Sequence, residues 1–554
     1  MSMITAVSWV PRGHASQFPT KYVFDEEEYE RIAKLAKLEL DDAREDLDSA
    51  KADAKAAQEG SQQDQNGDDA QAKEADGNSD IDLNDDDLKE YDLEHYDDEP
   101  EEDDEAESGN GTLAMFKNVR SLAYHDSNAE DPYITLKDEE ASDDEEREEL
   151  QILATDNLVL AAKVEDEVAH LEVYVYEDSA DNLYVHHDIM LPAIPLAVEW
   201  INMPVNRKTP AGSDKANFVA IGTMDPDIEI WDLDLVDSMY PNAVLGAPDA
   251  TASASIPTSV ATKKKKKKSK GPNATHHVDS VLSLASSRPH PHLLASASAD
   301  TTVKLWDLQS LTCAQSYTHH TDKVCALAWH PTESTILLSG SYDRTIVASD
   351  MRAPTSTPPK WGVESDVETV AWDPHNSHYF YASTESGILH CFDARTIPSS
   401  PQESKAVWRL QAHEKALSSF SVNPVVPGFV ATGSTDKTVK LWDTQPANSD
   451  GGPSMVVSRD VGVGKVFGVS FAPDDEVGFR LAVAGSKGAL QVWDTSTNRG
   501  VREAFATRVR EGFEFQERKG GDRMVKVNDE EDSEDDDEED GDGEGKDGWE
   551  SMEE

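Results

Sequence analysis

Cysteine is scarce in this chain: three residues, Cys313, Cys325 and Cys391, in 554, and none stands in a paired spacing. That excludes a disulfide framework and a cysteine zinc site as organising devices. No run of about 18 apolar residues occurs, and no charged segment followed by an apolar stretch opens the chain. The expectation is a soluble, intracellular protein with no membrane partner. Catalytic signatures are missing as well. There is no G-x-x-x-x-G-K-[ST], G-x-S-x-G, H-E-x-x-H or C-x-x-C. The nearest approach, GVGKVFG at Gly462 to Gly468, misses the dinucleotide glycine spacing and runs into an extended segment, so it reads as a loop. No catalytic residue, metal or cofactor is expected, and the chain is not read as an enzyme.

What the sequence has instead is a repeated ending. IEIWD closes at Asp232, VKLWD at Asp307, ILHCFD at Asp393, VKLWD at Asp443 and LQVWD at Asp494, with a degenerate TIVASD at Asp350. From Asp307 onward the intervals are 43, 43, 50 and 51 residues, close to the roughly 40–45 of one four-stranded propeller blade plus loop insertions. Each ending has upstream companions. A histidine stands thirty residues before the closing aspartate (His277, His320, His413), a turn aspartate seven before it (Asp300, Asp343, Asp436) and a hydroxyl four further up (Ser296, Ser339, Thr432). Two of these three blades keep the tryptophan, Trp306 and Trp442; the third has Ser349 in its slot. In WD repeats such residues form a buried relay, because buried polar groups must all be paired. Histidine, serine and aspartate together also suggest a hydrolytic triad. Repetition decides for structure, since an active site is built once and a blade staple in every blade. The fold class is all-β, a WD-repeat β-propeller.

Seven blades follow if the first is split. ITAVSWVP at Ile4 to Pro11 has the shape of VCALAWHP (Val324 to Pro331) and VETVAWDP (Val367 to Pro374), so residues 1–24 supply an inner strand whose partners begin after about residue 155. The propeller proper is then 149–508, with a lysine-rich loop at 241–275 and a tail at 509–554. If NRGVREAFATR, Asn498 to Arg508, supplies the last outer strand, blade seven is complete by itself and the two ends of the ring meet without strand exchange. Residues 25–148 are an insertion with 46 acidic and 12 basic residues, and residues 529–554 add 17 acidic residues and one lysine. Such blocks stay solvated by self-repulsion, so an acidic, mostly disordered insertion and tail are expected. Within the insertion, the stretch near 26–57 reads as a helix with Ile32, Ala36, Leu40, Ala43 and Leu47 on one face. GTLAMFKNVRSLAYH, Gly111 to His125, is a second apolar island. The run Lys263, Lys264, Lys265, Lys266, Lys267, Lys268 and Lys270 reads as a nuclear-targeting signal. Ser142 and Ser533 precede dense acidic stretches, the context of acidophilic kinases.

Several blocks are more specific than any repeat signature. MITAVSWVPRGHA (Met3 to Ala15), LATDNLVLAAKVEDEVAHLEVYVYE (Leu153 to Glu177), LYVHHDIMLPAIPLAVEW (Leu183 to Trp200) and VAIGTMDPDIEIWDLD (Val219 to Asp234) resemble the periodic tryptophan protein 1 family. That resemblance implies a nucleolar WD-repeat scaffold in ribosome biogenesis, chiefly large-subunit precursor rRNA processing. Its implied partners are ribosome assembly factors, large-subunit precursor particles and precursor rRNA. The alternatives are a histone-binding or chromatin factor at ribosomal genes, gripping histones or other basic proteins through the acidic segments, and a substrate adaptor for an enzyme complex.

Overall fold

The computed structural model describes residues 2–22, 147–148, 150–166, 168–206, 216–246, 273–353, 356–445, 452–509 and 523–527. The chain divides into two units, Met1–Tyr22 with Ser142–Glu554, and Val23–Ala141; every described residue belongs to the first. The helix expected near 26–57, the island at 111–125, Lys263–Lys270, Ser142, Ser533 and the acidic blocks all lie outside the described residues.

Antiparallel pairing of alternating apolar segments builds seven four-stranded sheets. Blade one takes its innermost strand from Ser2–Val10 and continues with Asn157–Glu165, Val168–Glu177 and Asn182–Leu191. Trp9 stands opposite Val159 and Val10 opposite Leu158, so a strand from the start of the chain is sewn onto one some 150 residues later. The other inner strands are Pro195–Ile201, Val281–Ser286, Val324–Trp329, Val367–Trp372, Ser419–Val422 and Val466–Phe471. They pack side by side in a closed circle, with Ser2–Val10 touching both Pro195–Ile201 and Val466–Phe471. Second strands are sandwiched between the sheets of neighbouring blades and are largely apolar apart from the relay hydroxyls and Arg480. Phe218–Thr223 and Arg480–Gly485 are buried throughout, as a strand sandwiched between sheets must be.

The disc has two faces. We call the face at which the inner strands begin the entry face, and the face at which they end the exit face. The turns between second and third strands lie on the entry face and need a left-handed residue, filled by Thr301, Arg344 and Lys437 at φ of 70°, 62° and 75°. Blade five uses Gly387 there (φ 79°), and a Cβ on it would come within 2.2 Å of the His413 carbonyl oxygen, which leaves room for glycine alone.

Blade seven corrects the sequence reading. Asn498 to Arg508 is not a strand: Thr495–Thr497 makes a 3-10 turn and Arg499–Phe505 an α-helix. The reason is periodicity, since Val501 and Phe505, both fully buried, lie four apart, on one helical face. Asn498 caps the helix by accepting a bond from Gly500 N. The outer strand is Arg523–Lys526, inside the stretch assigned to the tail, and it pairs with Gln491–Asp494. The lysine-rich loop is likewise shorter than 241–275, because Ala243–Leu245 forms the outer strand of blade two.

Candidate functional site

Three blades carry the same enclosed polar chain. In blade three, Trp306 Nε1 donates to Ser296 Oγ at 2.8 Å, and Ser296 Oγ lies 2.7 Å from His277 Nε2. His277 Nδ1 is 2.9 Å from Asp300 Oδ2. An indole N–H can only donate, so the serine proton passes on to Nε2 and the imidazole keeps its proton on Nδ1 for the carboxylate. Blade six repeats this, with Trp442 Nε1 to Thr432 Oγ1, Thr432 Oγ1 to His413 Nε2 and His413 Nδ1 to Asp436 Oδ2, each 2.9 Å. Blade four joins Ser339 to His320 at 2.9 Å and His320 to Asp343 at 3.1 Å; Ser349 there supplies no indole. A further group, which the repeat arithmetic missed, stands two residues after each aspartate. Thr302, Thr345 and Thr438 each donate to the aspartate Oδ1, at 2.7, 2.6 and 2.7 Å.

Burial and pairing act against one another on the relay groups. Burial drives the His277 and His413 pKa values down, against the pull of Asp300 and Asp436. For Asp300, burial pushes the carboxyl up, yet the bonds from His277 and Thr302 outweigh it and hold it at about 2. Asp343 is held low in the same way by His320 and Thr345, against its burial. These groups have the connectivity of a hydrolytic triad but no access: Ser296 and Thr432 are 0% exposed and Ser339 is 4% exposed. They tie the loop entering a blade to that blade's own second and third strands.

The exit-face mouth of the central channel is aromatic. Trp9 Nε1 donates to Ser470 O at 3.0 Å, Trp329 Nε1 to Ala285 O at 3.0 Å and Trp372 Nε1 to Ala328 O at 3.2 Å. Each indole thus bridges to an adjoining inner strand. Between them lie two adjoining cavities of about 340 and 450 Å³, both lined by Glu199, Ser286, Arg288 and Phe471. Burial raises the Glu199 carboxyl despite two bonds from Ser286, N at 3.0 Å and Oγ at 2.8 Å. The entry-face mouth is acidic at blade five, where burial, with Glu385 and Asp366 beside it, lifts Glu368 to about 7.

Between blades one and seven an ionic clasp replaces strand exchange. Arg480, largely buried, pairs with Asp178 at 2.7 Å and Asp494 at 2.5 Å and donates to Tyr176 Oη at 3.1 Å. Arg523 donates to Asp178 O at 2.9 Å and pairs with Asp181.

The repeats at residues 271–307, 311–347 and 404–443 match the family model described as WD domain, G-beta repeat. The whole chain has relatives too. It is 48% identical to a WD repeat-containing protein of Schizosaccharomyces pombe over 94% of each chain. It is 39% identical to periodic tryptophan protein 1 of Saccharomyces cerevisiae, covering 92% of this chain and 90% of that one. The chain belongs to the periodic tryptophan protein 1 family. The Drosophila melanogaster homolog of periodic tryptophan protein 1 is 32% identical, over 91% of this chain and 96% of that one.

The spacing behind a name such as periodic tryptophan protein has a physical content here. Of eleven tryptophans, four close third strands (Trp231, Trp306, Trp442, Trp493) and four end or follow the inner-strand core (Trp9, Trp200, Trp329, Trp372). In this family member the relay residues join loop to strand inside each blade. Sequence reasoning missed Glu199, Glu368, Arg480 and Arg523, whose neighbours come from distant strands. Thr302, Thr345 and Thr438 were within reach, since each completes a D-x-T triplet. Among the described residues, no group of His, Cys, Asp and Glu is placed to hold a metal ion, and no helix is long and apolar enough to cross a membrane.

Proposed function

We propose that this protein is a non-enzymatic nucleolar scaffold in ribosome biogenesis, acting chiefly on large-subunit precursor rRNA processing. The observation that carries this reading is the match to periodic tryptophan protein 1 over 92% of the chain at 39% identity, the family whose resemblance implies that role. The geometry supports binding over chemistry, because among the described residues the triad-like groups are sealed inside blades while a rigid ring presents two loop-covered faces. Lys263–Lys270 would supply the nuclear address, and phosphorylation at Ser142 and Ser533 would deepen the negative charge that faces basic partners. The test is affinity purification of the tagged chain from growing cells, with and without ribonuclease. Large-subunit precursor RNA and assembly factors in the eluate are expected, falling away after ribonuclease where RNA holds them. Their absence from an otherwise intact eluate would sink the reading.

A second reading, a histone-binding factor at ribosomal genes, is favoured by one match. Over 119 residues, 21% of this chain and 25% of the relative, it is 29% identical to histone acetyltransferase type B subunit 2 of Yarrowia lipolytica. Recovery of histones without precursor RNA, lost on deleting residues 25–148 or 529–554, would make this the better account.

A further inference from the structure

Four lysines on the entry face have no ionic partner and stand on consecutive loops of blades six and seven. Lys415 precedes the inner strand of blade six and Lys437 tips its second-to-third turn; Lys465 and Lys487 hold the matching places in blade seven. All four are exposed. Backbone bonds fix the loops to one another: Thr435 N donates to Ala416 O and Val466 N to Ser434 O, both at 3.2 Å, and Lys487 N donates to Val463 O at 3.1 Å. Lys465 N donates to Ser486 Oγ at 2.9 Å. The four ammonium groups therefore ride on a rigid, internally bonded rim rather than on independent loops.

The carboxylates among them are partly committed. Asp436 is engaged by His413 and Thr438, and Asp460 Oδ1 accepts from Gly462 N at 2.9 Å; Glu414 is exposed. Elsewhere on this face the equivalent turns are mixed, with Asp225 on blade two, Arg344 on blade four paired with Asp366, and Glu385 on blade five beside Glu368. The four exposed ammonium groups are thus presented together on neighbouring loops of one rim.

We infer that Lys415, Lys437, Lys465 and Lys487 form a contact surface for the phosphate backbone of RNA. Lysine presents a compact charge without the planar fork that reads base edges, and among the described residues the exposed large hydrophobics include no aromatic on which a base would stack. The surface therefore positions RNA rather than reads it. Choosing RNA over another polyanion rests on the assembly reading above.

The test uses the full chain with Lys263–Lys270 replaced by glutamine, so that this run does not mask the effect. Binding to a mixed-sequence RNA of about 30 nucleotides, long enough to span several such contacts, is measured across a salt series. Changing all four stripe lysines to glutamine is expected to lower affinity about tenfold or more and to flatten the log–log salt slope by roughly 0.7 per lysine lost. The melting temperature stays unchanged, and four Lys→Arg changes retain binding. Unchanged affinity and slope in the glutamine variant would overturn the proposal. So would stripe-dependent binding of polyglutamate in place of RNA, which would assign the surface to an acidic protein. Because the assay reads direct contact in purified protein, it stands apart from the precursor pull-down, and either can fail alone.

Discussion

At the residue scale, the enclosed relays convert loop residues into parts of the core. Trp306 is 1% exposed and Trp442 is 5% exposed, and each indole both fills volume and anchors a hydroxyl. Trp306→Ala or Trp442→Ala is expected to cost roughly 3–5 kcal/mol, read by chemical denaturation. Blade four, which has Ser349 in that slot, gives a control: Ser349→Ala removes no relay bond and should leave stability nearly unchanged. Glu368 behaves in the opposite sense from Asp300. Its folded pKa, about 7, lies above its ordinary 4.5, so the fold disfavours the charged form and stability is lost as pH rises from 4.5 through 7. Glu368→Gln, which mimics the protonated group, should therefore raise the melting temperature at pH 8, and the gain should vanish by about pH 4.5. An equal gain at both pH values would mean that packing rather than charge sets its effect.

At the element scale, the outer strand Arg523–Lys526 is four residues long, yet it completes blade seven and brings Arg523 to Asp178 and Asp181. Truncation after residue 522 should lower the melting temperature by several degrees, since it bares the edge of Leu490–Asp494 and removes Arg523 from the clasp. Truncation after Val527 keeps every one of those contacts and should melt like the full chain. The contrast shows why this strand was illegible in the sequence. RMVK has no closing dipeptide, and seventeen residues separate it from Phe505, where the preceding helix ends. The split first blade was legible for the converse reason. ITAVSWVP has the shape of two later inner strands, and a strand from any part of the chain can pair where an edge awaits it. The relays were legible because the partners lie at fixed offsets, 23 residues from His277 to Asp300 and 19 to Ser296. Arg480, which meets Asp178 across 302 positions, has no such offset to betray it.

At the scale of the whole molecule, the ring is held at its seam by side chains, and a 124-residue excursion, residues 23–146, leaves after Thr20–Lys21, which pairs with Leu235–Val236 beyond the third strand of blade two. Its two ends come back together. The Arg147 guanidinium lies 4.4 Å from the Phe18 ring, and Ile152 N donates to Gln17 O at 3.0 Å. Spanning such ends needs only a short linker, so replacing residues 23–146 by about ten glycine and serine residues should leave the propeller folded. Closing a shorter loop costs less chain entropy, by about 0.6 kcal/mol per halving, or about 2 kcal/mol here. The shortened protein should therefore melt at or slightly above the temperature of the full chain. A clearly lower melting temperature would mean that the excursion contributes packing to the ring. By contrast, deleting Met1–Val10 removes one of seven inner strands, leaves Asn157–Glu165 without its partner and opens the circle between Pro195–Ile201 and Val466–Phe471. That truncation should abolish the cooperative melt altogether, because in a closed ring each inner strand is held by the two beside it, and the loss of one unseats both.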